Sequence, residues 1–352
     1  MKAWQVTALG APSDALELVE VDDPKPGPGQ LLVRVSSAAL SYPDALFCRG
    51  EYQIKPPLPF TIGMEAAGEV VAVGPGADGP SADGSGAVGP GVDGPGVDSR
   101  GGDGWRPGLR VLGMPASGGL AELALFEAAH TFLAPEQLDD DEAAALHLNY
   151  QTAHFALHRR AGLAAGETVL VHAGAGGVGS ATIQLAKAAG ARVVAVVGGG
   201  RKADAAKGLG ADVVVDRHTE DFVAVVKALT DGRGADVVVD PVGGETFTRS
   251  TKCIAFEGRI VIIGFTSGTF GQLATNHALV KNYGVLGLHW GMYRFMVPEL
   301  VHEVQRELDA LVADGVVKPL ITERLAMADA PDGITRLSAG STIGRVVVSP
   351  HR

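Results

Sequence analysis

Six residues restrict this chain more than any others. Gly174-Ala175-Gly176-Gly177-Val178-Gly179 follows Thr168-Val169-Leu170-Val171-His172, an apolar, β-branched run that reads as a strand. It precedes a helical stretch through Ile183-Gln184-Leu185-Ala186-Lys187. A Gly-x-Gly-x-x-Gly spacing alone is weak evidence, but placed between a strand and a helix it marks a βαβ unit that binds a dinucleotide. Gly174 suits the tight turn, Gly176 lets backbone approach a pyrophosphate, and Gly179 lets helix and strand pack closely. Gly177 and Val178 open the helix, whose first N–H groups lack intrahelical partners and face the phosphates.

The residues around this motif alternate in kind. Strands are expected at Arg192 to Val197, Asp212 to Val215, Asp236 to Asp240 and Arg259 to Ile263, with helices between them such as Asp221 to Leu229. Nearly continuous β-branched runs joined by helices describe a parallel sheet buried on both faces, a doubly wound α/β fold. Ala278 to Gly291 reads as another strand, Pro298 to Ala313 as a helix, and Arg345 to Val348 as a terminal strand. Before about Leu146 the pattern is β-rich, with strands at Leu31 to Val35 and Gly68 to Val73 punctuated by Pro and Gly. A chain of 352 residues suits two such domains.

Residues 74–104 break the pattern. Gly74-Pro75-Gly76-Ala77-Asp78-Gly79-Pro80 recurs approximately as Gly89-Pro90-Gly91-Val92-Asp93-Gly94-Pro95. Such a repeat has almost no side chain to bury and cannot offset its ordering entropy, so it reads as a flexible surface insertion. The formal charge of −11 argues against a nucleic-acid partner, which needs clustered cations. No apolar run reaches a membrane span and no secretory signal opens the chain, so a cytoplasmic protein is expected. Its two cysteines, Cys48 and Cys253, are too few for a disulfide framework or a four-thiolate zinc site.

The end of the second strand decides which dinucleotide fits. An NAD site places Asp or Glu there to take the ribose 2′-hydroxyl. This chain has Val197-Gly198-Gly199-Gly200-Arg201-Lys202 instead. The glycines leave room for a 2′-phosphate, Arg201 and Lys202 would pair with it, and Arg217 would approach from the loop after the third strand. NADPH is the expected cofactor.

Further segments resemble the medium-chain dehydrogenase/reductase superfamily. They are Ser41-Tyr42-Pro43-Asp44, Arg49-Gly50-Glu51-Tyr52, Pro57 to Gly68, Gln151-Thr152-Ala153, Asp240-Pro241-Val242-Gly243-Gly244 and Gly264-Phe265. Ser250 to Ala255 and Leu288-His289-Trp290-Gly291 are similar to its zinc-free quinone oxidoreductase branch. That resemblance implies a discontinuous, β-rich GroES-like catalytic domain, 1–145 with 292–352, around a Rossmann domain at 146–291. It also implies frequent homodimerisation through the Rossmann sheet edge.

Aligned with the zinc-dependent members, the three catalytic ligand positions fall on Ser41, Met64 and about Leu148, none a competent zinc ligand there. No metal is expected. Hydride transfer then suits an acceptor that spreads its own negative charge, a quinone or an α,β-unsaturated carbonyl. The resemblance places Thr152 near the nicotinamide, while Phe265 and Thr266 lie at the carboxyl edge of the sheet where ligands bind. Tyr42, Tyr52 and Ser41 border the expected cleft and are candidates to hydrogen-bond the acceptor, Ser41 standing where the branch more often has Asn. Asp44 reads as a loop-organising carboxylate. His147, His154 and His158 read as packed or solvated, and His289 and Trp290 as structural. Two alternatives remain: an NADPH-dependent enone or enoyl-thioester reductase, and a non-catalytic NADPH-binding protein.

Overall fold

The computed structural model describes residues 1–77 and 104–352. All but the ends of the Gly/Pro/Asp repeat therefore lie outside the described residues, as does the flexible insertion expected there. The chain divides into two compact units, Met1–Leu148 with Val297–Arg352, and Asn149–Met296.

In the first unit the strands are β1 (Lys2–Val6), β2 (Leu16–Glu20), β3 (Gln30–Ala39), β4 (Phe60–Thr61), β5 (Ala66–Val73), β6 (Arg110–Gly113), β7 (Leu123–Glu127) and β8 (Thr131–Leu133). The second unit contributes β9 (Thr168–Val171), β10 (Arg192–Val197), β11 (Val213–Asp216), β12 (Ala235–Asp240), β13 (Ile254–Ile262) and β14 (Gly284–Gly287). After it the chain returns to the first unit with β15 (Ile321–Ala326) and β16 (Arg345–Ser349).

β3 organises the first unit, pairing antiparallel with β5, β7 and β16. Leu31, Val33 and Val35 alternate inward along it and are fully buried, the period-2 pattern of a sheet with one core face. They join Val70, Val111, Phe126, Val346 and Val348 in one apolar cluster. Because β16 pairs with β3, the C-terminal tail completes a core begun by the N-terminal residues. A second sheet, β2-β1-β4, belongs to the same unit.

The second unit is a six-stranded, all-parallel sheet in the order β11-β10-β9-β12-β13-β14. All four residues of β9 and five of the six in β10 are buried, because helices such as Gly177–Ala188, Gly200–Gly208, Phe222–Leu229 and Gly244–Ser250 cross between strands. The strand order reverses at β9 and β12, and ligands of open α/β sheets bind outside the carboxyl ends at such a point. No helix among the described residues is long and apolar enough to cross a membrane.

One element departs from the sequence expectation. Ala278 to Gly291 is not a single strand: it begins inside the helix Thr275–Lys281 and pairs only over Gly284–Gly287 before a 3-10 turn at Trp290–Met292. Asn282, at φ +55, stops the helix in the left-handed conformation that Asn tolerates.

Candidate functional site

The turn after β9 is built by close backbone packing. A Cβ on Gly179 would lie 2.2 Å from the Ala173 carbonyl oxygen, and one on Gly174 would lie 2.9 Å from the Ala195 Cβ. Gly179 therefore lets the helix Gly177–Ala188 press onto the turn, and Gly174 lets the turn press onto β10. The left-handed residue is Ala173, at φ +50, so the turn's conformational demand falls one position before the glycine expected to meet it. The Gly174 amide donates to the Val196 carbonyl at 3.0 Å and the Gly176 amide to Ala173 at 2.8 Å, fixing the loop. Gly176, at the N-cap, supplies no side-chain cap. The helix thus presents its first amides and the positive end of its dipole without a competing side-chain acceptor, which fits a pyrophosphate.

At the end of β10 the three glycines differ. Cβ atoms on Gly199 and Gly200 would meet nothing within 4 Å, whereas one on Gly198 would lie 2.9 Å from Arg217 Nε and 3.0 Å from His218 Nε2. Arg217 and His218 therefore lie over Gly198. Burial first, then the charges of Arg217 and Arg201, hold the Lys202 ammonium below its ordinary range, so these cations crowd one another. A phosphate dianion would relieve that repulsion. Asp216, at the end of β11, is committed elsewhere: Oδ1 accepts from the Gly199 and His218 amides, both at 3.1 Å. Sequence reasoning missed His218, for which the only available signal was its place next to Arg217.

Phe265 and Thr266 follow β13 in a loop laid against the turn after β12. The Thr266 amide donates to the Pro241 carbonyl at 3.0 Å and the Ser267 amide to Val242 at 3.1 Å. Gly243 and Gly244, at φ +73 and +54, make that fit possible, since a Cβ on either would strike Phe265 or Thr269. Asp240 holds the turn from below through Oδ1, which accepts from the Val242 and Gly243 amides at 2.8 and 2.9 Å. Thr152 lies half-buried on the helix His147–His154.

The acceptor-side candidates belong to the first unit. Ser41 caps the helix Tyr42–Arg49, and its amide and hydroxyl both donate to Asp44 Oδ2, at 2.7 and 2.8 Å. Its hydroxyl proton is thus directed at Asp44, and Asp44 organises the loop as expected. Tyr42 starts the same helix half-buried, while Tyr52 packs against Phe47 in a tilted pair, 4.5 Å between centroids. Next to Met64, Glu65 is fully buried, accepting from the Leu148 amide at 2.7 Å and from Arg345 at 2.6 Å. Burial pushes the Glu65 carboxyl up to about 7, against the pull of Arg345, and the Asp44 carboxyl up to about 6, against that of Ser41. The positions expected to lack zinc ligands thus stand beside two protonatable carboxyls.

Most of the remaining candidates are packed, but His289, read as structural, is exposed. His147 Nδ1 meets Gln305 Oε1 at 2.8 Å, and His154 and His158 stack at 4.5 Å. Trp290 is buried. Burial pushes both thiols, Cys48 and Cys253, up to about 12. Among the described residues no group of three or more His, Cys, Asp or Glu is placed to hold a metal.

Residues 27–136 match the alcohol dehydrogenase GroES-like domain and residues 177–306 the zinc-binding dehydrogenase domain. The chain is 34% identical over 328 residues to the quinone oxidoreductase-like protein 2 homolog of Nematostella vectensis, covering 92% of this chain and 82% of that one. A mycobacterial protein solved in complex with NADPH is 32% identical, with a TM-score of 0.85 over 99% of this chain and all of that one. The Escherichia coli quinone oxidoreductase, also solved with NADPH, is 27% identical at the same TM-score and coverage.

Proposed function

The chain belongs to the zinc-free quinone oxidoreductase branch of the medium-chain dehydrogenase/reductase superfamily, and from that premise we propose that it reduces a quinone-type or conjugated carbonyl acceptor with NADPH. The observation that carries this reading is the charge pattern beyond β10. Gly198 stands where an NAD site needs a carboxylate; Arg217 and His218 lie against it, and Lys202 is close enough to Arg217 and Arg201 to feel their charges.

When bound, NADPH supplies a hydride from its reduced nicotinamide. The chain's own residues do the rest. The amides of the helix Gly177–Ala188 would hold the pyrophosphate, and Arg201, Lys202, Arg217 and His218 would bind the 2′-phosphate. The backbone at Phe265 and Thr266, in the loop clamped against Pro241 and Val242, would hold the carboxamide, and Thr152 would contact the nicotinamide. With Ser41, Met64 and Leu148 at the zinc-ligand positions, no side chain there can bring a Lewis acid to the acceptor oxygen. The acceptor must therefore delocalise its own developing charge, as quinones and enones do. Tyr42 and Tyr52 would hydrogen-bond it, while the Ser41 hydroxyl, its proton turned to Asp44, has none left for a carbonyl oxygen. The protein's share of catalysis is orientation.

The same reading includes a homodimer. β14 is an edge strand, and Leu279, Val280 and Phe256 are 76%, 79% and 68% exposed in the elements around it. A second copy pairing edge to edge would cover them.

Steady-state turnover with NADPH and NADH against a benzoquinone, a small enone and an enoyl-CoA tests the proposal. The expected result is at least a tenfold preference for NADPH in kcat/KM, with the quinone the best acceptor. A preference for NADH would refute the cofactor assignment, and the enoyl-CoA as best acceptor would refute the acceptor class. NADPH binding without turnover on the whole panel would refute catalysis.

A further inference from the structure

Asp240 ends β12, between the strands that carry the two loops of the cofactor site. On one side the His172 amide donates to the Val239 carbonyl at 3.1 Å, just before the left-handed Ala173 that opens the turn after β9. On the other, Asp240 pairs in register with Ile262, and the Ile263 amide donates to the Asp240 carbonyl at 3.0 Å, shortly before Phe265. The strand order reverses between β9 and β12, and a dinucleotide crosses from one half of such a sheet to the other at that point.

The Asp240 side chain is fully buried. Oδ1 alone takes both the Val242 and the Gly243 amide, at 2.8 and 2.9 Å, an Asx-type turn that folds the chain back on itself. The Pro241 and Val242 carbonyls, set by that turn, accept from Thr266 and Ser267 in the next loop at 3.0 and 3.1 Å. That loop is closed by the Gly268 amide on the Phe265 carbonyl at 2.9 Å, and Phe265 packs edge to face on Phe270 at 4.7 Å. Turn and loop are joined as one piece, with the Asp240 carboxylate at its root.

A carboxylate is a costly choice for this task. Burial holds the Asp240 carboxyl above its ordinary range, against the pull of the Gly243 and Val242 amides. Asparagine has the one oxygen that the turn uses and no charge to desolvate. What the charge adds is grip, because a hydrogen bond to an ionised acceptor is about twice as strong as one to a neutral acceptor. A residue that gives up stability for stiffness belongs where geometry matters more than folding.

We propose that Asp240 is a positioning residue for the nicotinamide: by gripping two amides with one oxygen, it fixes the loop at Phe265 and Thr266 relative to the turn after β9, and with it the ring. The proposal rests on the reading above, in which that backbone takes the carboxamide. Asp240 acts through the loop, so it governs where the ring is held and leaves the adenosine half of the cofactor alone.

The test compares the wild type with Asp240→Ala, which removes both bonds, and Asp240→Asn, which keeps the oxygen without the charge. Time-resolved fluorescence anisotropy of bound NADPH reads the motion of its reduced nicotinamide. Titration with adenosine 2′,5′-bisphosphate reads the adenosine half by itself. Asp240→Ala should add a fast, picosecond-to-nanosecond decay that the wild type lacks. The bisphosphate should bind within about twofold of the wild type, as for sites that share no partner. With a quinone acceptor, kcat of Asp240→Ala should fall at least about tenfold, part of the roughly 100-fold that a misplacement of about 1 Å costs. Asp240→Asn should show a smaller fast decay and keep kcat within about threefold, since its oxygen still takes both amides. The proposal is overturned by a ring as immobile in Asp240→Ala as in the wild type, by bisphosphate weakened as much as NADPH, or by Asp240→Asn no better than Asp240→Ala. Should Asp240→Ala fail to fold, Asp240→Ser, whose hydroxyl falls one bond short of the carboxylate oxygen, takes its place under the same criteria. If no acceptor turns over even with the wild type, the oxidoreductase reading fails separately and the anisotropy still decides the role of Asp240.

Discussion

Raising the pH from 5 to 8 should weaken the first unit and strengthen the second, because the dominant buried groups titrate in opposite senses. In the first, Glu65 is fully buried and its carboxyl is pushed from 4.5 up to about 7. The folded state therefore holds a proton that the unfolded chain has released. The stabilisation is fully present below pH 4.5 and is lost as pH rises through 7, about 2–3 kcal/mol between pH 5 and 8. Asp44 and Asp309, both raised by burial to about 6, act in the same sense. In the second unit burial holds the His172 imidazole down to about 3, from 6.5. There the unfolded chain takes up the proton, so stability rises as pH climbs to 6.5, by about 2 kcal/mol from pH 5 to 8. Asp240, raised by burial but relieved by two backbone amides, opposes this only in part. The paired carboxylates Asp141, Glu167, Asp212 and Asp221 are depressed and lose stabilisation only below this window. Hydrogen–deuterium exchange read separately in β5 and β9, corrected for intrinsic rates, is the assay. Between pH 5 and 8, protection should fall in β5 by at least about 30-fold and rise in β9 by about 30-fold, the equivalent of about 2 kcal/mol. Glu65→Gln should remove the largest part of the first slope, leaving that of Asp44 and Asp309, and His172→Gln should flatten the second. Both strands shifting the same way, or slopes undiminished by these substitutions, would refute the reasoning.

Two further predictions concern the cofactor site. Lys202→Met should weaken NADPH about tenfold, a modest share for a half-buried cation facing a phosphate, while leaving NADH within about twofold. Fluorescence titration with both nucleotides checks it, and equal weakening of the two would remove Lys202 from the 2′-phosphate. Gly179→Ala sets a Cβ 2.2 Å from the Ala173 carbonyl oxygen, so the helix Gly177–Ala188 must move off the turn. Denaturant unfolding should show the second unit destabilised by about 1–3 kcal/mol, with NADPH affinity reduced at least tenfold; an unaltered affinity would contradict pyrophosphate binding at that helix.

What the sequence disclosed was local. The strand Arg192–Val197 and the helix Pro298–Ala313 were legible to the residue, the first from an unbroken β-branched run, the second from proline at its start and an amphipathic stripe. Ala278 to Gly291 was not, because Leu279 and Val280 suit a strand as well as they suit the seven-residue helix they end. Short apolar runs carry no period long enough to decide. The same division runs through the site. Gly174 to Gly179 could be read because their chemistry needs consecutive residues, whereas the placement of Arg217 and His218 over Gly198 depends on β10 and β11 lying side by side.

The contact between Glu65 and Arg345 spans 280 positions and leaves no trace in either neighbourhood. Yet it bears on the positions that the resemblance aligns with zinc ligands. Asp44 takes the amide and hydroxyl of Ser41, and Glu65 takes the amide of Leu148. Two of the three positions where a zinc-dependent relative would place a ligand are thus held by buried carboxyls through their backbone. Replacing the ligand side chains leaves this frame intact, because it grips main-chain donors that any residue supplies. The loops thus have a support that does not depend on which side chains stand at Ser41 and Leu148.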